Sequence, residues 1–144
     1  MVPESLLSEK PSENEGALIL VVERNPVVQR LERYFLEHAG FTVEFANDGL
    51  AALARALELR PKILVAEILV PKLDGLSLCR AIKSKPETKE MLVLIFSHLQ
   101  AEDRARESGA DAFLSKPLDE DLLIKTVEKL LAGRSQAAGD RSDG

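Results

Sequence analysis

Five short β-rich runs, each followed by a helical pattern, make this 144-residue chain a doubly wound α/β domain. The runs are ALILVV (17–22), FTVEFA (41–46), KILVAE (62–67), MLVLIF (91–96) and DAFLS (111–115). Strict alternation demands a parallel sheet, because parallel neighbours need crossover connections, and those crossovers are right-handed. The first, third and fourth runs are almost continuously apolar, as suits strands covered on both faces. The second alternates Phe41, Val43 and Phe45 with Thr42 and Glu44, which marks a sheet edge. With the short fifth run on the opposite edge, the expected strand order is 2-1-3-4-5.

The helices carry their own punctuation. In the first, Val28, Leu31 and Phe35 recur at helical spacing, Asn25 stands as N-cap, Pro26 takes the first helical position and Gly40 follows the end. Asp48 is placed to cap the second helix and Asp74 the third, where the turn PKLDG leads into an apolar side of Leu76, Cys79 and Ile82. Cys79 is therefore expected to be a buried, inert thiol. Lys83, Lys85 and Lys89, just before the fourth strand, read as a solvated basic loop, and His38 at the end of the first helix favours the helix dipole or packs. The fourth helix, 101–108, is polar outside its alanines. The last begins after Asp119, shows a stripe of Leu123, Val127 and Leu130, and is expected to stop at Gly133. Together these elements form a (βα)5 sheet of the flavodoxin-like class.

Length and charge set the remaining bounds. The chain is long enough for one ordinary domain, expected over 17–132. Residues 1–16 are acidic and rich in Ser and Pro, and are expected to form a disordered arm; 133–144 are small and polar and are expected to form a flexible tail. A formal charge of −5 argues against direct binding to nucleic acid. A single cysteine closes no disulfide and supplies no thiolate cage. The apolar runs are too short to span a bilayer, and the first residues lack the basic start and apolar centre of a secretory signal, so the expected location is the cytoplasm. GxxxxGKS, GxGxxG, HExxH and GxSxG do not occur, which weakens nucleotide, hydride and hydrolase readings.

In an open parallel sheet, chemistry belongs in the crevice at the carboxyl ends of the strands. Glu23 and Arg24 follow the first strand, Glu67 ends the third, Ser97 follows the fourth and Lys116 the fifth. Polar groups from four strands thus converge on one place.

On ILVVERNP (19–26), EILVPKLDG (67–75), Ser97 and SGADAFLSKP (108–117), the sequence resembles the receiver domain of bacterial two-component response regulators over 17–132. The resemblance implies an Asp phosphate acceptor at the end of strand three, two acids after strand one that hold magnesium, then Ser or Thr, then Lys. Here Glu67 stands at the acceptor position, and Glu23 and Arg24 stand at the acidic pair. Ser97, Lys116 and Phe113, the last at the aromatic position that turns inward on switching, keep the pattern.

Three carboxylates and one Lys would leave a charge for magnesium to cancel, whereas Glu23 and Glu67 are here matched by Arg24 and Lys116. No metal and no cofactor are therefore expected, and no enzymatic activity. Glu67 has two arrangements open to it: a bidentate pair with Arg24, or an extension to Lys116 and Ser97 that mimics part of a phosphoryl group. His98 either covers the pocket or faces the surface. The implied function is a degenerate receiver acting as a protein-binding module in signalling, independent of phosphorylation. It would present the face of helix four, strand five and helix five to another signalling protein, with a homodimer also open. The rival reading is a phosphorelay acceptor carrying an acyl phosphate on Glu67, and a third is a domain holding a flavin or nucleotide.

Overall fold

A computed structural model describes residues 16–143, with side chains placed to residue 134. The elements run β1 (Leu18–Val22), α1 (Pro26–His38), β2 (Thr42–Ala46), α2 (Gly49–Leu59), β3 (Ile63–Ala66), α3 (Gly75–Ser84), β4 (Leu92–Ser97), α4 (Glu102–Glu107), β5 (Ala112–Ser115) and α5 (Glu120–Asp143). The strands form one parallel sheet in the order β2-β1-β3-β4-β5, as the alternation predicts. β1, β3 and β4 are buried along almost their whole length, and β2 lies at one edge.

Two apolar layers sandwich the sheet. One joins Leu20, Leu64 and Val93 to Ala52 and Ala56 of α2, Leu78, Cys79 and Ile82 of α3, and Ala105 of α4. The other joins Ile19, Val21, Val65 and Leu94 to Leu36 of α1 and to Leu123, Val127 and Leu131 of α5. Burial pushes the Cys79 thiol up, against a hydrogen bond with Ser108, which keeps it a protonated core residue.

The predicted caps form. Asn25 Oδ1 accepts from the amides of Val27 and Val28, Asp48 from Ala51, Asp74 from Ser77 and Asp119 from Leu122. Each satisfies amide donors that a helix start leaves open.

Four expectations need correction. The buried face of α1 is Glu32 and Leu36 with half-buried Val28, and Leu31 is exposed. A glutamate in the inner row hid the true face from a count of apolar residues. In α5 the third fully buried residue is Leu131, with the expected Leu130 packed half-buried beside it. That helix also passes Gly133, which was expected to stop it. A helical glycine costs about 1 kcal/mol against Ala, too little to stop a helix whose following residues sustain it. Finally, Lys83 is a structural tie: its ammonium, on α3, donates to the Met91 carbonyl at 2.7 Å and to Asp111 at 2.8 Å. The acidic arm expected over 1–16 lies outside the described residues except for Gly16.

Candidate functional site

The carboxyl ends of β1, β3, β4 and β5 bring Glu23, Glu67, Ser97 and Lys116 into one cluster, with each side chain less than a tenth exposed. Lys116 follows β5 and reaches across the crevice. Its ammonium lies 2.6 Å from Glu23 Oε1 and 2.8 Å from Glu67 Oε2. The other oxygen of Glu23 accepts from the Asn25 amide at 3.1 Å, which ties the pocket to the start of α1.

Both oxygens of Glu67 are engaged within the protein. Oε1 accepts from the Ile68 amide at 2.7 Å, from the Leu69 amide at 3.2 Å and from the Ser97 hydroxyl, while Oε2 takes Lys116. Burial alone pushes the Glu67 carboxyl up, but the bonds from Lys116, Ser97 and Leu69 outweigh it and hold the group below the usual carboxylate range. For Lys116, burial opposes the charge, yet the two carboxylates prevail and raise its pKa. The cluster is thus ionised and internally paired.

Of the two arrangements open to Glu67 from sequence, the structure forms the one to Lys116 and Ser97. Arg24 is exposed and makes no ion pair with the described residues, so the alternative Arg24–Glu67 fork does not form. Arg24 follows a buried residue at the strand end, and the chain turns there so that its side chain faces water. Neutralisation of the carboxylates falls to Lys116 alone. His98 is exposed and Phe113 half-buried, packed against the layer that contains Ala101 and, on α4, Ala105.

These donors do not suit magnesium. That ion asks for a near-octahedral set of oxygens, usually with one or two available carboxylates. Both carboxylates here are engaged by an ammonium, and the position that would supply a further acid is Arg24. Among the described residues no three His, Cys, Asp or Glu side chains are grouped to hold a metal.

Sequence reasoning missed Glu32. It lies on the inner face of α1, 1% exposed, and its Oε1 atom is buried without a hydrogen-bond partner. Burial pushes its carboxyl up to about 8, with Glu23 and Glu67 adding to the rise and Lys116 opposing it. The only sequence signal is its position, four residues from both Val28 and Leu36.

The backbone behind Glu67 is tightly fitted. A Cβ on Gly75 would come within 2.4 Å of the Glu67 carbonyl oxygen. Gly75→Ala is therefore expected to destabilise the fold by about 1–3 kcal/mol and to shift the Ile68 and Leu69 amide resonances, as urea denaturation and amide spectra would record. An unchanged midpoint would show that the loop gives way freely.

Comparison with known proteins places this geometry. Residues 19–128 match the family model described as response regulator receiver domain. The chain is 33% identical over 116 residues to the DNA-binding dual master transcriptional regulator RpaA of Synechocystis sp., covering 78% of this chain and 48% of that protein. It is 36% identical over 114 residues to response regulator MprA of Mycobacterium leprae, covering 78% and 50%. It therefore spans about half the length of the curated relatives it matches. Among solved structures, the signal receiver domain of a histidine kinase from Syntrophus aciditrophicus aligns with a TM-score of 0.74 at 32% identity, covering 81% of this chain and 91% of that one. The receiver domain of sensor histidine kinase PA1611 from Pseudomonas aeruginosa, solved with magnesium coordinated in its active-site cleft, aligns with a TM-score of 0.74 at 26% identity, covering 79% and 96%.

Proposed function

The chain belongs to the response regulator receiver domain family, and from that membership we propose that it is a receiver whose output does not depend on phosphorylation. It acts as a binding module for another signalling protein. One observation carries the reading: Glu67, at the acceptor position, already holds the Ser97 hydroxyl, the Lys116 ammonium and two backbone amides. Those are the donors an acyl phosphate at this place would recruit, so the carboxylate stands in for the phosphoryl group.

Chemistry points the same way. Phosphoryl transfer relies on positioning and on neutralising the equatorial oxygens, largely through a metal. The donor set does not fit magnesium, and a Glu67 oxygen free to attack would first have to leave Lys116 or Ser97.

Binding is assigned to the face of α4, β5 and α5. Among the described residues β5 pairs only with β4, which leaves its outer edge open. Beside it runs an open groove of about 1010 Å³ whose apolar lining includes Leu92, Ala112, Phe113, Leu114 and Leu130. Phe113 belongs both to this groove and to the layer under α4, which links the face to the pocket side of the sheet. A ligand shifts such a domain only by preferring one of its states, so control passes to the partner's presence.

The test is incubation with acetyl phosphate and magnesium, read by intact mass. The wild-type chain is expected to gain no phosphoryl group. The double variant Glu67→Asp, Arg24→Asp, which restores the acidic pair and the shorter acceptor, is expected to gain one that is lost on adding a chelator. Stoichiometric labelling of wild-type Glu67 would overturn the reading.

A further inference from the structure

Among the described residues, three large apolar side chains exposed to solvent stand on one helix: Val27, Leu31 and Tyr34 of α1, which are 57%, 41% and 62% exposed. Spaced by four residues and then three, they form a single stripe outside the buried row of Glu32 and Leu36. The Tyr34 ring stacks on His38 with centroids 5.7 Å apart, which carries the stripe to the end of the helix. Arg30, four residues before Tyr34, borders the stripe, and Arg24 stands ahead of its first residue. Both arginines are exposed and neither makes an ion pair with the described residues; Arg30 bonds only to the Pro26 carbonyl of its own helix. An apolar stripe with a basic border suits an acidic segment that carries a few apolar side chains.

The chain itself contains such a segment. Gly16 donates its amide to the Gly40 carbonyl at 2.7 Å, so residues 1–15 join the domain beside the C-terminal end of α1. They lie outside the described residues, and their sequence carries Glu4, Glu9, Glu13 and Glu15 against Lys10, with Leu6 and Leu7 as an apolar pair. Along the helix axis, His38 is about 11 Å from Leu31 and about 17 Å from Val27. The chain from Leu7 to Gly16 spans up to about 30 Å when extended. The leucines therefore reach the stripe with slack.

We propose that residues 1–15 fold back along α1 as an intramolecular strap, seating Leu6 and Leu7 on Val27, Leu31 and Tyr34 and setting their glutamates against Arg24 and Arg30. Charge fixes the side of approach. His38 also lines a groove between α1 and α5, where Glu120, Asp121 and Glu128 outnumber Lys125, and like charge keeps an acidic strap on the arginine side. A short tether holds the strap at an effective concentration on the order of millimolar, so a contact too weak between separate molecules forms within one. A protein that docks on α1 has to displace the strap, whereas the face of α4, β5 and α5 stays free of it.

The test is NMR on the full chain. Nuclear Overhauser effects are expected between the methyls of Leu6 and Leu7 and those of Val27 and Leu31, and to the Tyr34 ring, with relative intensities unchanged on dilution. They are expected to weaken in Arg30→Glu and to vanish in the double variant Leu6→Ser, Leu7→Ser, which also moves the Val27, Leu31 and Tyr34 resonances. Both of these serines lie outside the fold, so amide spectra of the sheet are expected to stay those of the wild type. Absent contacts, or stripe resonances indifferent to the double variant, would overturn the strap and leave the face to a separate partner. Contacts that fade on dilution would overturn it in favour of a second copy of the chain. Contacts from Leu6 or Leu7 to Leu114 or Leu130 in the groove beside β5, or contacts at full strength in Arg30→Glu, would overturn it as well.

Discussion

Replacing Lys116 with Met is expected to cost about 3–5 kcal/mol of folding stability at neutral pH, because it leaves two buried carboxylates without their shared cation. Glu23 and Glu67 are both almost wholly buried, and each directs an oxygen at the same ammonium. The loss is the desolvation of charges that can no longer pair, which burial makes expensive. In a domain of this size it corresponds to a fall in Tm on the order of 10–20 °C.

Its pH dependence has a definite sign. In the wild-type protein the Glu67 carboxyl is held below its ordinary value, so its stabilising contribution is present above the unfolded carboxylate range and is lost as acid protonates the folded group. In Lys116→Met the same carboxyl loses its largest stabilising partner and is pushed upward by burial, so acid relieves the variant. The two stabilities are therefore expected to converge as pH falls toward about 4. Adding Glu23→Gln and Glu67→Gln to Lys116→Met is expected to recover much of the loss, since neutral groups carry less desolvation. Urea titrations at several pH values measure all three. A Lys116→Met variant as stable as wild type at neutral pH would mean that the cluster contributes nothing net to the fold.

The fold was legible because it depends on periodicity. Alternating strand and helix patterns, and the caps Asn25, Asp48, Asp74 and Asp119, are local features, and each reads correctly from its own neighbourhood. The site residues were legible as positions, since strand ends in such a sheet face one crevice. Their wiring was not. Arg24 and Lys116 carry the same charge and enter the same sum, yet Arg24 is exposed and Lys116 is buried between two carboxylates. That difference is set by how each strand end turns, which side-chain type does not encode. Glu32 was hidden for the opposite reason: the rule that charged residues face water fails where the charge is removed by protonation.

Glu32→Leu is expected to stabilise the protein, and more so as pH rises. Leu fits a position flanked at helical spacing by Val28 and Leu36, in a layer already apolar, and it removes an oxygen that is buried without a partner. In the wild-type chain the folded carboxyl titrates at about 8 against 4.5 for its ordinary value. Below about 4.5 it is protonated whether folded or unfolded and costs nothing by ionisation. Between the two values the folded state binds more protons than the unfolded state, so stability falls as pH rises, and the full cost is reached above about 8. At about 1.4 kcal/mol for each tenfold change in proton affinity, the ceiling of that cost is roughly 5 kcal/mol. The advantage of Glu32→Leu is therefore expected to be small near pH 4, to grow through neutrality and to level off near pH 9, with Glu32→Gln showing the same trend at smaller amplitude. Urea midpoints across that range give the curve directly. A gain that does not change with pH would assign the benefit to packing alone and remove ionisation of Glu32 from the account of this site.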